Sequence, residues 1–300
     1  MRAKKIGKKY GDLEVIDFLG DKQYLCRCVC GNEIIVQTTE LRNDKHRCKT
    51  SCGCKKHIVQ KNEDYFDVID SDDKAYLIGL LVSDGNINYK KGTYGFEITL
   101  QNQDKGVLEQ IKKNLDSDIN IREYETKGTF PNGMSKVSKV ARLSIHSKKI
   151  ATKLIEMNIT PKKSLTTNID FENIFSDDLI GSFLRGVYDG DGSIIPYIRK
   201  DRNEPCVIIT LTGNYEFLKH IQDFLLEKWN VNSSLIDKKK PSQKVYTLSI
   251  HGQKSCYDFL KKIYKNNTIC IERKYQKYLK AIEILEKALF KTQSTIPSEV

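Results

Sequence analysis

An internal repeat constrains this 300-residue chain more than any other feature. The tetrapeptide Leu-Ser-Ile-His occurs at residues 143–146 and again at residues 248–251, an offset of 105 residues. Three further matches keep the same order at offsets of 107 to 111 residues: Ile98-Thr99-Leu100 with Ile209-Thr210-Leu211, Asp84-Gly85 with Asp191-Gly192, and Lys163 with Lys274. Such a period is too long for a solenoid repeat, so it predicts two copies of one domain-sized unit.

Each copy is expected to contain the same succession of elements, helix-strand-strand-helix-strand-strand-helix. After the opening helix, the predicted helices span residues 105–115 and 148–157 in the first copy, and 215–229 and 254–264 in the second. The strand that ends at residue 146 has the alternation of a half-buried strand: apolar Ala141, Leu143 and Ile145, polar Arg142, Ser144 and His146. Each sheet should therefore pack one face on helices and leave one polar face free to meet a partner. The predicted fold class is α+β.

The opening helix of each copy has a distinctive composition. It follows a serine and two acidic residues, Ser71-Asp72-Asp73 and Ser176-Asp177-Asp178, which suit a helix N-terminus. Each helix also carries two small residues four positions apart, Gly79 and Ser83 in the first copy, Gly186 and Gly190 in the second. Because small side chains let helix backbones approach closely, we expect these two helices to pack against each other.

Both helices end in an Asp-Gly pair, Asp84-Gly85 and Asp191-Gly192, whose glycines are placed to form left-handed helix caps. A carboxylate at a helix C-terminus faces the negative end of the dipole, which costs about a few tenths of a kcal/mol. Packing the helices side by side would bring both carboxylates together, where a divalent metal ion would stabilise the two like charges. Such a site suits phosphodiester hydrolysis, because the metal activates water and neutralises charge on the phosphate.

The two helices resemble the motifs of a single-chain LAGLIDADG (DOD-type) homing endonuclease. The residues that carry the resemblance are Leu-Ile-Gly-Leu-Leu-Val-Ser-Asp-Gly at 77–85 and Leu-Arg-Gly-Val-Tyr-Asp-Gly-Asp-Gly at 184–192. The similarity covers roughly residues 65–285. Val82 stands where the first motif would have its earlier aspartate, but that position is not a metal ligand in the family. Two motifs at this spacing are a far stronger signal than one.

The resemblance implies a fold and a reaction. Two αββαββα units related by pseudo-twofold symmetry would form a saddle, with their sheets along the major groove of DNA. Mg²⁺ or Mn²⁺ would bind at Asp84 and Asp191, and Lys163 and Lys274 would be the basic residues near the scissile phosphates. Cleavage would leave staggered 3′ ends. We expect the DNA-binding residues to lie on polar strand faces and strand loops: Asn86, Asn88, Tyr89, Gln101, Arg122, Arg142, Arg199 and Lys244.

A cysteine cluster precedes the repeats, with six of the nine cysteines between Cys26 and Cys54. Short strands are predicted around it at residues 12–18, 24–30 and 33–38, with a turn at Gly31-Asn32. The CxCxCGN and SCGC segments resemble a small zinc-ribbon-like β module that heads many phage and mobile-element nucleases, over roughly residues 6–56. Four thiolates form a tetrahedral Zn²⁺ site. The favoured ligands are Cys28, Cys30, Cys52 and Cys54, with Cys26 as the alternative; reduced structural cysteines or a disulfide cluster are the competing explanation.

Charge and hydropathy define the expected partner and location. The net charge of +11 and the pI of about 9.0 favour a polyanionic partner, although charge alone does not separate DNA from RNA or an anionic membrane. No window approaches the roughly 20 apolar residues of a membrane span, and the basic N-terminus leads into no apolar segment. We therefore expect a cytoplasmic, monomeric protein of a bacterial or phage-infected cell that binds double-stranded DNA and no membrane.

The predicted organisation has five parts. They are a zinc-ribbon-like module at 1–56, a linker at 57–66, a first repeat at 67–168, a second repeat at 169–288 and a tail at 289–300. Two other functions are open on the same scaffold: an RNA-binding intron maturase and a catalytically silent DNA-binding regulator. Because neither needs carboxylates that bind metal, the presence of both Asp84 and Asp191 favours the nuclease.

Overall fold

The computed structural model describes residues 5–29, 31–41, 48–52, 61–90, 93–129, 135–161, 168–201, 204–237 and 245–290. By its internal contacts the chain divides into two compact units, residues 1–60 and residues 61–300. None of the helices in the described ranges is both long enough and apolar enough to cross a lipid bilayer.

The first unit is a small antiparallel sheet of four strands in sequential order. The strands are β1 (Lys9–Tyr10), β2 (Leu13–Gly20), β3 (Gln23–Cys28) and β4 (Glu33–Gln37). One face of the sheet encloses a core of seven buried residues: Leu13, Val15, Tyr24, Cys26, Cys28, Val36 and Leu41. The predicted strands and the turn at Gly31-Asn32 are confirmed, and Gly31 has the positive φ of +92° that favours glycine.

The second unit contains two copies of the predicted succession of elements. The first copy comprises α1 (Asp72–Ser83), β5 (Gly85–Lys90), β6 (Thr93–Gln101), α2 (Lys105–Asn114), β7 (Arg122–Thr129), β8 (Ser135–Ile145) and α3 (Lys148–Glu156). After a short helix, α4 (Phe171–Ile174), the second copy comprises α5 (Asp177–Asp191), β9 (Gly192–Arg199), β10 (Glu204–Gly213), α6 (Tyr215–Trp229), β11 (Ser233–Asp237), β12 (Tyr246–Ile250) and α7 (Gln253–Ile263). The fold is the predicted duplicated αββαββα arrangement.

The strand order of the two sheets is the same. It is β5-β6-β8-β7 in the first copy and β9-β10-β12-β11 in the second, with every pairing antiparallel. In β8, Ala141, Leu143 and Ile145 are buried while Arg142 and Ser144 stay partly exposed, which confirms the predicted alternation. The pattern is weaker in β12, where Thr247 and Ser249 are buried as well.

A final helix, α8 (Glu272–Phe290), follows the second copy, and residues 272–290 were not predicted to form a helix of their own. Ala281 and Leu285 of this helix are buried, and Tyr275 and Tyr278 pack against the same core. The spacing of these four residues fits one face of a helix and is the signal that identifies α8.

Helices α1 and α5 pack against each other at the centre of the second unit, as predicted. A methyl carbon added to Gly79 would lie 2.0 Å from the Phe183 carbonyl oxygen, and one added to Gly186 would lie 2.1 Å from that of Tyr76. Ser83 Oγ also lies 3.4 Å from the Gly186 carbonyl oxygen, to which it donates a hydrogen bond. The two helix backbones are therefore in direct contact, which only glycine permits at these positions.

The predicted helix ends are correct at the N-termini and wrong at the C-termini. Ser71 Oγ accepts a hydrogen bond from the Lys74 amide, and Ser176 occupies the N-cap position of α5. Neither Gly85 nor Gly192 adopts a left-handed conformation; Gly192 is extended, with φ −99° and ψ 163°. Each helix runs directly into a strand, and an added methyl carbon would lie 2.7 Å from Leu81 at Gly85 or 2.4 Å from Tyr188 at Gly192. Lack of space, not positive φ, is the reason for glycine there.

Candidate active site

The packing of α1 on α5 brings Asp84 and Asp191 to the same end of the helix pair. Asp84 is the C-cap residue of α1, and Asp191 is the last residue of α5; both are exposed. A methyl carbon on Gly190 would lie 3.4 Å from the Asp84 carboxyl carbon, so this carboxylate stands beside the residue that precedes Asp191. The site thus has two accessible carboxylates at two adjacent helix C-termini, as the sequence predicts.

Lys274 lies beneath this end of α5 and is only 5% exposed. Its Nζ donates hydrogen bonds to the carbonyl oxygens of Tyr188 at 2.7 Å, Gly192 at 2.9 Å and Gly190 at 3.4 Å. Burial lowers the pKa of Lys274 to about 8, against the opposing effect of the negative charges of Asp189, Asp84 and Asp191. A cation at the helix C-terminus offsets the unfavourable position of the Asp191 carboxylate.

A buried polar network, not predicted from the sequence, connects the two motif helices. Asp189 is 1% exposed, and its Oδ2 accepts hydrogen bonds from the Tyr76 hydroxyl at 2.8 Å and the Ile271 amide at 2.7 Å. Burial raises the pKa of the Asp189 carboxyl to about 6. This one carboxylate therefore joins α1, α5 and the start of α8.

Arg185, four residues before Asp189 on the same helix, is fully buried. Its guanidinium donates to the carbonyl oxygens of Ile263 at 2.8 Å, Asn266 at 2.9 Å and Ile269 at 3.0 Å. These contacts fix the segment between α7 and α8 against α5. The sequence does contain a signal for this network, because Arg185 and Asp189 are the two charged residues, four positions apart, in the otherwise uncharged stretch 179–190.

Replacing Asp189 by leucine is expected to lower the free energy of unfolding by about 3–5 kcal/mol, because it leaves buried donors and cations without their partner. Asp189→Asn keeps an acceptor for Tyr76 and Ile271 and should cost clearly less. Urea unfolding followed by the fluorescence of Trp229, the chain's single tryptophan, measures both values. Equal losses in the two variants would contradict the role assigned to the hydrogen bonds.

The predicted DNA-binding residues do not all lie on one surface. The sheet of the first copy, β5-β6-β8-β7, is called the first sheet, and the sheet of the second copy, β9-β10-β12-β11, the second sheet. The strand register places five candidates on the outer face of the first sheet, away from the helices: Asn86, Asn88, Gln101, Arg122 and Arg142. Arg142 is held in place there, with Nε 3.0 Å from Thr99 Oγ1 and its guanidinium 5.1 Å from the centre of the Tyr124 ring.

Tyr89 and Arg199 are placed differently. Tyr89 lies on the helix side of the first sheet, with its hydroxyl 3.5 Å from Thr152 Oγ1 in α3. Arg199 ends β9 and is paired with Asp201 at 2.9 Å. The DNA-binding candidate Lys244 lies outside the described residues. Lys163, the candidate near the scissile phosphates, lies outside them as well.

In the first unit, two of the predicted zinc ligands, Cys28 and Cys52, each contact Asn32 of the Gly31-Asn32 turn. The Cys28 amide donates to the Asn32 carbonyl oxygen at 2.8 Å, and Asn32 Nδ2 lies 3.9 Å from Cys52 Sγ. Cys26 is fully buried in the core of the sheet. Cys30 and Cys54 lie outside the described residues, within which no cluster of three or more His, Cys, Asp or Glu side chains could hold a metal ion.

The fold and the site together define a protein with two pseudo-symmetric α+β copies in its second unit. A pair of carboxylates, Asp84 and Asp191, lies at the end of the central helix pair. The family model of the LAGLIDADG-like domain matches the chain twice, at residues 71–157 and 178–264, which together are more than half of its length. The chain belongs to the LAGLIDADG-like domain family.

The similar proteins include one curated relative and several solved structures. An uncharacterized protein of Methanocaldococcus jannaschii, MJ0314, is 26% identical over 181 residues, which are 59% of this chain and 62% of that protein. This chain thus spans about three fifths of the length of the curated relative.

Two of the similar solved structures are DNA complexes. The I-LtrWI LAGLIDADG homing endonuclease bound to target DNA has a TM-score of 0.48 and 15% identity, over 77% of this chain and 92% of that one. The homing endonuclease I-WcaI bound to its DNA recognition sequence has a TM-score of 0.45 and 19% identity, over 71% of this chain and 90% of that one. With both scores below 0.5, the family membership rests on the two matches of the family model.

Proposed function

We propose that this protein is a site-specific endonuclease that cuts both strands of a DNA duplex, the function of a homing endonuclease. One observation carries the proposal. The direct contact of α1 and α5 brings two exposed carboxylates, Asp84 and Asp191, to one end of the helix pair. A structural protein has no need of two like charges at helix C-termini, where each is locally unfavourable.

The donor set fits Mg²⁺ or Mn²⁺ as the active-site cofactor. Asp84 and Asp191 offer hard oxygen ligands, and Mg²⁺ is commonly held by one or two carboxylates together with water and substrate phosphates. When bound, such an ion supplies an activated water and neutralises charge on the phosphate that is attacked.

The protein's own residues hold the two carboxylates in place. Lys274 Nζ donates hydrogen bonds to the carbonyl oxygens of Tyr188 and Gly190, near the end of α5, and of Gly192, directly after Asp191. The Asp189 network fixes the same helix to α1 and to the start of α8. Because the Lys274 ammonium group is occupied by these carbonyls, we assign it the role of positioning Asp191. Contact with the scissile phosphate is not part of this role.

The outer faces of the two sheets are the proposed DNA-binding surface. Strands β5 and β9 begin directly after Asp84 and Asp191, so the faces start at the carboxylate pair. On the first sheet, Asn86, Gln101 and Arg142 offer the amide and guanidinium groups that recognise base edges in the major groove. The chain's net charge of +11 favours binding to the phosphate backbone, with affinity that falls as salt rises.

A selection on randomised duplex DNA tests the proposal. The full chain is incubated with a randomised library and Mg²⁺, and cleaved molecules are sequenced. We expect one extended preferred site, with cleavage lost on chelation of the metal. A protein that binds a defined duplex without cutting it in Mg²⁺ or Mn²⁺ would instead be a DNA-binding regulator. Binding to structured RNA alone would indicate the maturase.

We further propose that the first unit binds one Zn²⁺ ion through Cys28, Cys30, Cys52 and Cys54. Cys28 and Cys52 both contact the Gly31-Asn32 turn, which supports this proposal. The seven buried core residues in the described part of this unit are also few for a unit without a metal ion. We expect elemental analysis of the reduced full chain to find about one Zn²⁺ per molecule. Cys52→Ser should lose it, whereas Cys256→Ser, a buried cysteine of the second unit, should retain it. Zinc-free reduced protein would contradict the proposal.

A further inference from the structure

The outer faces of the two sheets have different chemistry although their strand orders are the same. The first outer face carries Asn86, Asn88, Glu97, Thr99, Gln101, Arg122, Arg142 and Ser144, together with the half-buried Tyr124 and the buried Val140. The second outer face carries Ser193, Ile195, Tyr197, Arg199, Glu204, Cys206, Ile208, Thr210, Thr212, Ser234, Ile236, Thr247 and Ser249. Pseudo-symmetry places the two sets at corresponding positions relative to Asp84 and Asp191.

The first outer face carries hydrogen-bonding groups that orient one another. Arg142 donates to Thr99, and Ser144 Oγ lies 3.3 Å from Glu97 Oε1. Asn86 and Asn88 are joined by a hydrogen bond of 3.5 Å. Such groups match the donors and acceptors of base edges.

The second outer face exposes large apolar side chains. Ile195 is 47% exposed, Tyr197 41% and Ile236 51%, and Ile195 is paired with Ile208 on the neighbouring strand. Between them lie the small hydroxyl residues of β12 and β10. Among the described residues of the strands β9 and β10, charged side chains on this side occur at the outer end, Arg199 and Glu204.

Against an apolar side chain, the donors and acceptors of most base edges lose their hydration without a compensating hydrogen bond. Thymine is the exception in the major groove, because its C5-methyl group is apolar and projects into the groove. The second outer face is continuous with the carboxylate pair through β9, so the same duplex that reaches Asp191 would lie against Ile195 and Tyr197.

We propose that the two sheets read their half-sites by different chemistry, and that the second outer face selects thymines through their methyl groups. The inference rests on the proposed function, and it adds the composition of one half of the target: thymine at the base pairs that face Ile195, Tyr197 and Ile236. The other half-site is recognised through hydrogen bonds by the first outer face.

Replacement of thymine by uracil tests this inference, because it removes the methyl group alone. The selected duplex is synthesised with deoxyuridine in one half at a time, and Kd is measured without divalent metal. In the half bound by the second sheet, we expect affinity to fall about fourfold for each contacted methyl group. In the other half, the change should stay within about twofold.

Two variants of the same strand assign the effect to the second outer face. Ile195→Ser should reduce the difference between thymine and uracil by about fourfold, the contribution of one methyl group, in the half-site bound by the second sheet, and leave the other half unchanged. Ile198→Ser is the matched control, since Ile198 is 59% exposed but lies on the opposite face of β9. It should retain the full discrimination.

The possible failures are distinguishable. A selection that returns no bound duplex would overturn the proposed function and the inference with it. A defined site whose two halves respond equally to uracil, or not at all, would overturn the inference alone. Concentration-dependent dimerisation in sedimentation that Ile195→Ser abolishes would show that the apolar face binds a second copy, and this result would also overturn the inference.

Discussion

Asp84→Asn and Asp191→Asn should each lower the cleavage rate by a factor on the order of 10²–10³ or more, while DNA binding stays within a few-fold of the unmodified protein. Asparagine has nearly the shape of aspartate but lacks its negative charge, so each variant weakens one ligand of the metal. Loss of several kcal/mol of charge stabilisation in the transition state corresponds to a rate loss of this size. Binding depends instead on the sheets and on phosphate contacts.

These variants should fold normally, which separates a chemical defect from a structural one. Both carboxylates are exposed and face the negative end of a helix dipole, so their removal should leave stability unchanged or raise it by about a few tenths of a kcal/mol. Asp178→Asn is the matched control: Asp178 is an exposed residue in the first turn of the same helix, α5, at the opposite end from Asp191. Cleavage by this control should be unchanged. Undiminished cleavage by both Asp84→Asn and Asp191→Asn would exclude the proposed site.

Much of the fold could be predicted from the sequence because the repeat supplies each signal twice. Period-two alternation located β8, and the small residues four positions apart in each motif helix indicated that α1 and α5 pack together. These are local patterns whose physical reading does not depend on the rest of the chain. A duplicated chain also predicts that corresponding residues occupy corresponding places, which is how Asp84 and Asp191 could be paired.

The structural roles of the buried residues Arg185, Asp189 and Lys274 were not predicted, because each depends on elements distant in the sequence. Asp189 is a motif residue with no acidic counterpart at Val82, and its partner amide belongs to Ile271, 82 residues later. Lys274 was expected at the phosphates because its position repeats that of Lys163, yet α8 places it beneath Tyr188. Sequence periodicity indicates which face of a helix is buried. It does not indicate which distant element covers that face.

The caps predicted at Gly85 and Gly192 illustrate a related limit. An Asp-Gly pair at the end of a helix is typical of a left-handed cap, but here a strand starts at the glycine itself. The glycine is required because Leu81 and Tyr188 occupy the space of a side chain. The carboxylate that precedes it is consequently held at the junction of a helix and a strand. A fixed position is what a metal ligand needs.

Gly79→Ala and Gly186→Ala should each destabilise the second unit by more than about 3 kcal/mol, although alanine is intrinsically the better helix former by about 1 kcal/mol. The added methyl carbon would lie 2.0 or 2.1 Å from a backbone oxygen of the facing helix. No side-chain rotation relieves contact with a backbone atom, so α1 and α5 must move apart. Asp84 and Asp191 would then separate, and cleavage should fall together with stability.

Gly106→Ala is the matched control for both variants. Gly106 lies in the first turn of α2, and a methyl group there meets no atom within 4 Å. The same substitution should therefore stabilise the protein by up to about 1 kcal/mol, through helix propensity alone. Urea unfolding followed by Trp229 fluorescence measures all three variants. Opposite signs for Gly106→Ala and the two interface variants would demonstrate that backbone contact between α1 and α5 holds the carboxylate pair together. A Gly186→Ala protein as stable as the parent would refute that contact.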